Sequence, residues 1–223
     1  MATAYRDLTF ERPGHSTVRI ETDSGTVLYI DPWSEVLEGT PHDADLVLVS
    51  HADYDHYDPE GIRAVSHDST VIGAYERIDT SDLDYEVVPL PYDGERHVSN
   101  IHVRTVPAYN LPTGPHVRSN GEPYHPEGTG VGFVVTIGDV VVYYCSDTDD
   151  LEELHELRAD VVIPPIGGRP TMDRREAAGL IKSIDPDLVL PVHYNSDLVD
   201  DIDTDVEAFK REVEAKDIRV SIF

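Results

Sequence analysis

The first third of the chain contains short segments in which apolar and polar positions alternate or apolar residues run together. Residues 17–21 alternate and residues 26–30 are mostly apolar, and both patterns are typical of β-strands. The Asp-Ser-Gly sequence at residues 23–25 predicts a hairpin turn between these two strands. Residues 44–49 form an apolar run that predicts a buried strand.

Further along, the pattern changes from strands alone to strands that alternate with helices. Strands are predicted over residues 70–73, 85–88, 101–106, 132–137, 140–145, 160–164, 188–192 and 220–223. Helices are predicted over residues 60–65, 151–157, 172–184 and 205–215, the third of them capped by Thr171. This order predicts an α/β (α+β) fold with helices outside the sheets. No repeat or linker interrupts it, so we expect a single domain over residues 1–223.

The composition is that of a globular protein with one full core. Apolar residues make up 39% of the 223 residues, and no apolar run approaches the roughly 18 residues of a membrane span. Residues 1–12 carry charges of both signs, so no signal peptide is predicted, and we expect a cytoplasmic protein. The single cysteine, Cys145, allows neither an internal disulfide nor a cysteine-based zinc site, and we expect it to be buried.

The charge is strongly negative and changes the set of expected partners. The net charge is −27, from 44 acidic and 17 basic residues, only three of them lysine. Such a chain repels nucleic acids and anionic membranes, so we expect neither as a partner. Acidity spread over the chain keeps a protein soluble in concentrated salt, which suggests a halophilic source; a merely acidic protein is the alternative.

Polar side chains follow the ends of several predicted strands. They are Asp31, the His- and Asp-rich residues 51–58, Asp147 and His193. If these strands lie side by side and point the same way, the polar residues converge at one edge of a sheet. Imidazole together with carboxylate suits zinc, manganese or iron. The alternative for residues 51–58 alone is a solvated acidic turn.

Several ordered motifs carry a resemblance to a known family. Residues 51–56 read His-Ala-Asp-Tyr-Asp-His, residues 146–148 read Ser-Asp-Thr, and residues 191–194 read Pro-Val-His-Tyr. In these motifs the chain resembles metallo-β-lactamase-fold, metal-dependent hydrolases, and most of all the L-ascorbate-6-phosphate lactonase-like branch. Gly-His at residues 14–15 and Pro-Ala-Tyr-Asn at residues 107–110 also match. The resemblance implies a four-layer αββα sandwich.

The resemblance also implies a set of metal ligands, with one or two divalent ions per chain (Zn, Mn or Fe). The ligands carried over are His51, Asp53, Asp55, His56, Asp147 and His193, with Asp55 and Asp147 as catalytic groups. The second metal position, formed by Asp55, His56, Asp147 and His193, is intact. The first is altered, because the family has histidine where this chain has Asp53 and where Tyr109 or Asn110 stands, which makes Tyr109 and Asn110 candidate replacement ligands or substrate contacts. Carboxylate in place of imidazole favours harder metals than zinc there.

The long loop and its surroundings supply further candidates. Residues 111–130 are rich in proline and glycine and lack periodicity, which is typical of a functional loop. Within it, His125 is either a replacement ligand, a substrate contact or an ordinary loop residue. Arg118 and Arg169 are either phosphate partners or ordinary surface arginines. Residues 167–171 precede a helix whose positive end suits an anion.

The remaining histidines and the tryptophan are given simpler roles. We expect His15 to be structural or to support a ligand, and Trp33 to serve in packing. Surface or loop positions are expected for His42, His67, His97, His102, His116 and His155.

The function that these features imply is metal-dependent hydrolysis. A divalent metal lowers the pKa of a water molecule, which then attacks a small, anionic ester, lactone or phosphodiester. Two alternatives remain: a catalytically degraded binding or regulatory protein, since two first-position residues are altered, and a nucleic-acid phosphodiesterase, which the charge opposes. Whether the protein forms a homo-oligomer is left open.

Overall fold

A computed structural model describes residues 2–194, 198–199 and 204–223, and its described part contains two seven-stranded sheets. The first sheet holds, in chain and spatial order, β1 (Ala2–Tyr5), β2 (Leu8–Gly14), β3 (Thr17–Thr22), β4 (Val27–Ile30), β5 (Ala44–Val49), β6 (Ser66–Tyr75) and β7 (Glu86–Leu90). The second holds β8 (Glu95–Val98), β9 (Ile101–Ala108), β10 (Gly130–Ile137), β11 (Val140–Tyr144), β12 (Val161–Ile163), β13 (Leu188–Val189) and β14 (Arg219–Val220).

Both sheets are antiparallel in their first half and parallel in their second. In the first sheet β1 to β4 pair antiparallel and β4 to β7 pair parallel. The second sheet repeats this, antiparallel from β8 to β11 and parallel from β11 to β14. Each sheet therefore gathers the carboxyl ends of parallel strands at one edge, where α/β proteins place their sites.

The helices are few and lie against the sheets. The described α-helices are α1 (Pro59–Val65), α2 (Arg174–Ile184) and α3 (Val206–Glu214), and Ser34–Val36 forms a short 3₁₀ helix. Buried side chains of α2 and α3, such as Leu180 and Phe209, pack with Val162 and Tyr143 of the second sheet in one apolar cluster. The larger cluster joins the two sheets and includes Ile62 of α1. The predicted class, sheets covered by helices, is confirmed. No described helix is long and apolar enough to cross a membrane.

Several boundaries differ from the prediction. Strands β1, β2 and β8 were not predicted; β8 exposes three of its four residues, so it lacks an apolar signal and depends on pairing with β9. Residues 152–156 form a 3₁₀ helix. The cap of α2 is Asp173, not Thr171, because the Asp173 carboxylate accepts hydrogen bonds from the N–H groups of Arg175 and Glu176.

Candidate metal centre

The ends of the parallel strands bring the predicted site residues together between the two sheets. His51 follows β5 and forms a bridge with Gly130 at the start of β10. A Cβ at Gly130 would lie 3.2 Å from the His51 Cβ, so glycine allows this close approach. On the other side, the His193 N–H donates to the His15 carbonyl at 3.1 Å.

One group of possible ligands contains His51, Asp53 and His125. The His125 Nε2 lies 3.3 Å from Asp53 Oδ2 and 3.5 Å from Asp147 Oδ2, and the His51 Nε2 lies 3.8 Å from Asp53 Oδ2. The ligand atoms of the three residues all lie within 4.8 Å of one another. The long loop therefore delivers an imidazole to the first metal position, the position whose residues are altered in the sequence.

A second group contains His15, Asp55, His56 and His193, whose ligand atoms also lie within 4.8 Å of one another. The Asp147 carboxylate lies next to both groups: Oδ1 is 3.5 Å from His56 Nε2 and Oδ2 is 3.4 Å from His193 Nε2. All the ligands carried over from the resemblance thus lie in one centre, with Asp147 between the two positions. Their binding of metal stays a prediction.

The centre fits a divalent cation because buried polar atoms point into it without hydrogen-bond partners. Among the described residues these include His51 Nε2, His56 Nε2 and Asp147 Oδ1. Leaving such atoms unsatisfied is costly unless another group, such as a metal ion, bonds to them. A donor set of imidazoles and carboxylates suits zinc, manganese or iron.

Asp31 lies behind His56 and orients it. Its carboxylate accepts hydrogen bonds from His56 Nδ1 at 2.7 Å, from the Tyr144 hydroxyl at 2.8 Å, and from the backbone and hydroxyl of Ser50 at 2.8 and 2.6 Å. With both oxygens engaged, Asp31 fixes the His56 ring with Nε2 towards the centre. The sequence indicated Asp31 as a strand-end carboxylate but carried no sign of Tyr144 or Ser50 as its partners.

His15 supports Asp55 in a similar way. It is buried, and its Nε2 lies 2.9 Å from Asp55 Oδ2. Trp33 packs edge-on against the His15 ring, at 5.4 Å between ring centroids. The expected supporting role of His15 and the packing role of Trp33 agree with this arrangement.

Burial and charge set the protonation of the metal-free centre. Burial lowers the pKa of His15 and of His51 to about 4, so both rings are neutral at pH 7. Burial also opposes the charging of His56, but the nearby carboxylates Asp147 and Asp31 outweigh it and raise the pKa of His56 to about 10. Burial likewise raises the pKa of Asp147, yet the neighbouring imidazoles outweigh it and keep that pKa well below its usual value. Neutral imidazole and ionised carboxylate are the forms that bind metal, so His56 loses a proton when an ion binds.

The other candidates fall in different places. Asn110 is buried behind His125, and half-buried Tyr109 packs against the cluster that holds α2 and α3. His116 was expected at the surface or in a loop; it lies in the loop but is buried, with Nε2 2.8 Å from Glu176 Oε2. Nothing in the pattern around His116 indicated this burial. Cys145 is buried, as expected.

The predicted anion site at the start of α2 is wrong in one respect. The first N–H groups of the helix are already bonded to the Asp173 carboxylate, and Glu176 bonds back to the Asp173 N–H at 2.8 Å. This capping box satisfies the donors that would otherwise face an anion. The arginine of residues 167–171, Arg169, instead donates from Nε to the Tyr124 hydroxyl at 3.2 Å.

A pocket of about 190 Å³ opens onto the centre. Its lining includes Asp53, Asp147 and His193 on the side of the centre, and Arg118, Tyr124 and Arg169 on the other. The Arg118 guanidinium lies 5.0 Å from the centroid of the Tyr124 ring. Two cations therefore stand beside a cluster of histidines and carboxylates in a molecule that is otherwise strongly acidic.

A family model described as a beta-lactamase superfamily domain matches residues 9–193. The chain belongs to the beta-lactamase superfamily. The predicted metallo-β-lactamase fold is confirmed by a structure from Parabacteroides distasonis, of a protein assigned as a metal-dependent hydrolase. It has a TM-score of 0.83 and 27% identity and covers 100% of this chain and 96% of that one.

Relatives within the beta-lactamase superfamily indicate the general activity. A UPF0173 metal-dependent hydrolase from Pyrococcus horikoshii is 32% identical over 215 residues, 89% of this chain and 88% of that protein. Another from Nanoarchaeum equitans is 33% identical over 214 residues, 94% of this chain and 93% of that protein. This superfamily member is thus a metal-dependent hydrolase. The relatives named here do not point to the L-ascorbate-6-phosphate lactonase branch, which stays a prediction.

Proposed function

We propose that this hydrolase acts on a small, anionic ester, lactone or phosphodiester. The observation that carries the proposal is the pair of guanidinium groups, Arg118 and Arg169, at Tyr124 in the pocket beside the centre. Guanidinium groups bind carboxylate and phosphate through paired hydrogen bonds. In a chain of net charge −27, an anion needs such a local positive surface to approach.

The residues of the centre have distinct tasks in this proposal. His51, Asp53 and His125 would hold one divalent ion, Asp55, His56 and His193 another, and Asp147 lies between them. When bound, the metal would supply Lewis acidity and would lower the pKa of a bound water molecule to near neutral. His15 holds Asp55 through its Nε2, which lies 2.9 Å from Asp55 Oδ2, the same oxygen that lies 3.8 Å from His56 Nε2. Arg118 and Arg169 orient the anionic group of the substrate, and the small pocket limits its size.

Other functions have less support. The degraded-protein alternative depended on a depleted first position, and His125 supplies an imidazole there. A nucleic-acid substrate conflicts with the charge of the whole chain. From the composition alone, we also propose that the protein is cytoplasmic and that its source is halophilic.

The test measures metal content and then substrate preference. Protein purified without chelators is assayed for bound metal and for hydrolysis of matched pairs of esters, lactones and phosphodiesters, one anionic and one neutral in each pair. Wild-type protein should contain metal and prefer the anionic member. Arg169→Gln should raise KM for anionic substrates roughly 10- to 100-fold, as expected for loss of a charge-assisted hydrogen bond, and leave KM for neutral ones little changed.

The control is Arg96→Gln, since Arg96 is exposed on β8 and bonds the carbonyl of its neighbour Glu95. It removes the same charge far from the pocket and should leave both KM values unchanged. Metal binding without turnover of any pair would favour the binding-protein alternative. Turnover with no preference for anionic substrates would refute the substrate class but not the hydrolase.

A further inference from the structure

Asn110 contacts both the backbone and the ring of His125. Asn110 is fully buried and lies just after the end of β9. Its N–H donates to the His125 carbonyl at 2.8 Å, and its Oδ1 accepts the His125 N–H at 2.8 Å. The same Oδ1 lies 3.1 Å from His125 Nδ1. Three contacts therefore fix the backbone and the ring of one histidine.

The other half of the Asn110 amide is anchored to the rest of the molecule. Its Nδ2 donates to Asp149 Oδ1 at 2.8 Å and to the Pro170 carbonyl at 2.9 Å. Both of these partners are acceptors, whereas the backbone N–H of His125 is a donor. Only one orientation of the amide, Oδ1 towards His125, satisfies all three partners.

This arrangement determines which nitrogen of His125 carries the proton. Nδ1 faces two acceptors at 3.1 Å, Asn110 Oδ1 and the Pro170 carbonyl, so Nδ1 carries the hydrogen. In the neutral ring, the lone pair is then on Nε2, which points at Asp53 and Asp147. A metal ligand of this kind needs a hydrogen bond on its other nitrogen to hold the tautomer and the ring plane.

We propose that Asn110 is a positioning residue that makes His125 a metal donor at the first position. It acts through His125 and contacts no reacting atom. The inference rests on the proposed function only in that the centre holds a divalent metal. Asn110, just before the long loop, thus orients the imidazole of His125, near the end of that loop.

The test compares stepwise binding of cobalt(II) and zinc(II) to wild type, Asn110→Leu, Asn110→Asp and His125→Ala. Asn110→Leu should weaken the same binding step as His125→Ala, by about 10- to 100-fold, and shift the cobalt absorption bands in the same direction. Asn110→Asp keeps the acceptor for His125 Nδ1 and should lose less affinity. It should nevertheless melt at a lower temperature, since it places a carboxylate against Asp149. Asn120→Leu, an exposed asparagine in the same loop, is the control and should bind as wild type.

A double variant separates positioning from a general structural role. If Asn110 acts only through His125, Asn110→Leu in the His125→Ala background should cause no further loss of metal affinity.

Three results would overturn the inference: wild-type metal binding by Asn110→Leu, an additional loss in the double variant, or no effect of His125→Ala on either step. If wild type binds no metal at all, the proposed function fails together with it. If metal binds but these variants change nothing, only the role of Asn110 fails.

Discussion

Four residues of the centre hold left-handed backbone conformations that non-glycine residues seldom adopt. They are His15, Asp31, Ser146 and His193, with φ of 46°, 48°, 60° and 55°. Each such residue costs about 1 kcal/mol or more and persists only where the surrounding structure over-determines it. At the scale of single residues, the centre is therefore held in shape by its supports, among which Asp31 makes the most bonds to other residues.

The contribution of Asp31 is measurable by Asp31→Asn. The substitution removes a buried charge that accepts four hydrogen bonds and places an N–H₂ group where acceptors are needed. We expect the free energy of unfolding of the metal-free protein to fall by about 3 kcal/mol, measured by urea denaturation. Metal affinity should fall with it, because His56 loses its orientation.

The matched control is Asp45→Asn. Asp45 is half-buried and accepts one backbone hydrogen bond, from Val27 N at 2.8 Å, which an amide oxygen can still accept. It should cost well under about 1 kcal/mol. Similar costs for the two substitutions would show that Asp31 is an ordinary buried carboxylate.

At the scale of elements, the long loop is tied to α2 through His116. Its Nδ1 donates to the Arg169 carbonyl at 2.8 Å, and its Nε2 donates to Glu176 at 2.8 Å. Burial opposes the charging of His116, but the hydrogen bonds to Glu176 and to the Arg169 carbonyl outweigh it and raise its pKa above 6.5. The loop that carries Arg118 and His125 is therefore held by a pH-dependent contact.

The sign of this dependence follows from the raised pKa. The stabilisation is fully present below the unfolded pKa, near 6.5, and is lost as the pH rises through the higher folded value. His116→Gln should therefore lower the free energy of unfolding by about 1–3 kcal/mol at pH 6 and by less at pH 9. His97→Gln, at an exposed position on β8, is the control. An equal loss at both pH values would mean that the charge of His116 contributes nothing.

The elements show which parts of the molecule a sequence can reveal. Apolar runs such as residues 44–49 and 140–145 were predictable because burial on both faces leaves a continuous apolar signal. The exposed strand β8 was not, since pairing alone holds it. The ligand motif at residues 51–56 could be identified from its spacing. The burial of His116 and the hydrogen bonds between Asn110 and His125 arise from contacts between segments distant in sequence, which local patterns do not encode.

At the scale of the whole molecule, the few cations are shared among many carboxylates. Arg19 contacts Glu11, Glu21 and Asp43, each at 2.8 Å. Arg6 lies within 4.0 Å of Asp139, Asp160 and Asp187. The 44 acidic side chains nevertheless outnumber the 17 basic ones by 27, so repulsion across the surface opposes folding.

This imbalance predicts a dependence of stability on salt. The screening length falls from about 10 Å at 0.1 M to about 3 Å at 1 M, so molar potassium chloride removes most of the repulsion. We expect the melting temperature to rise by roughly 4–8 °C between these concentrations, equivalent to about 2 kcal/mol. Replacing the exposed carboxylates of Glu38, Asp68 and Asp84 with amides should reduce the rise. A melting temperature independent of salt would count against the halophilic interpretation.

The centre lies where the two sheets meet, and this location constrains how the protein acquires its metal during biosynthesis. His51, Asp53, Asp55 and His56 belong to the half of the chain that leaves the ribosome first. Asp147 and His193 follow only after β11 and β13 have been made. Because a chain emerges N-terminus first, a nascent chain that ends before β11 lacks both Asp147, which lies between the two positions, and His193, so it cannot retain an ion tightly. Metal insertion is therefore among the last steps of maturation, and a chain truncated after Ile137 should bind zinc far more weakly than the full-length protein.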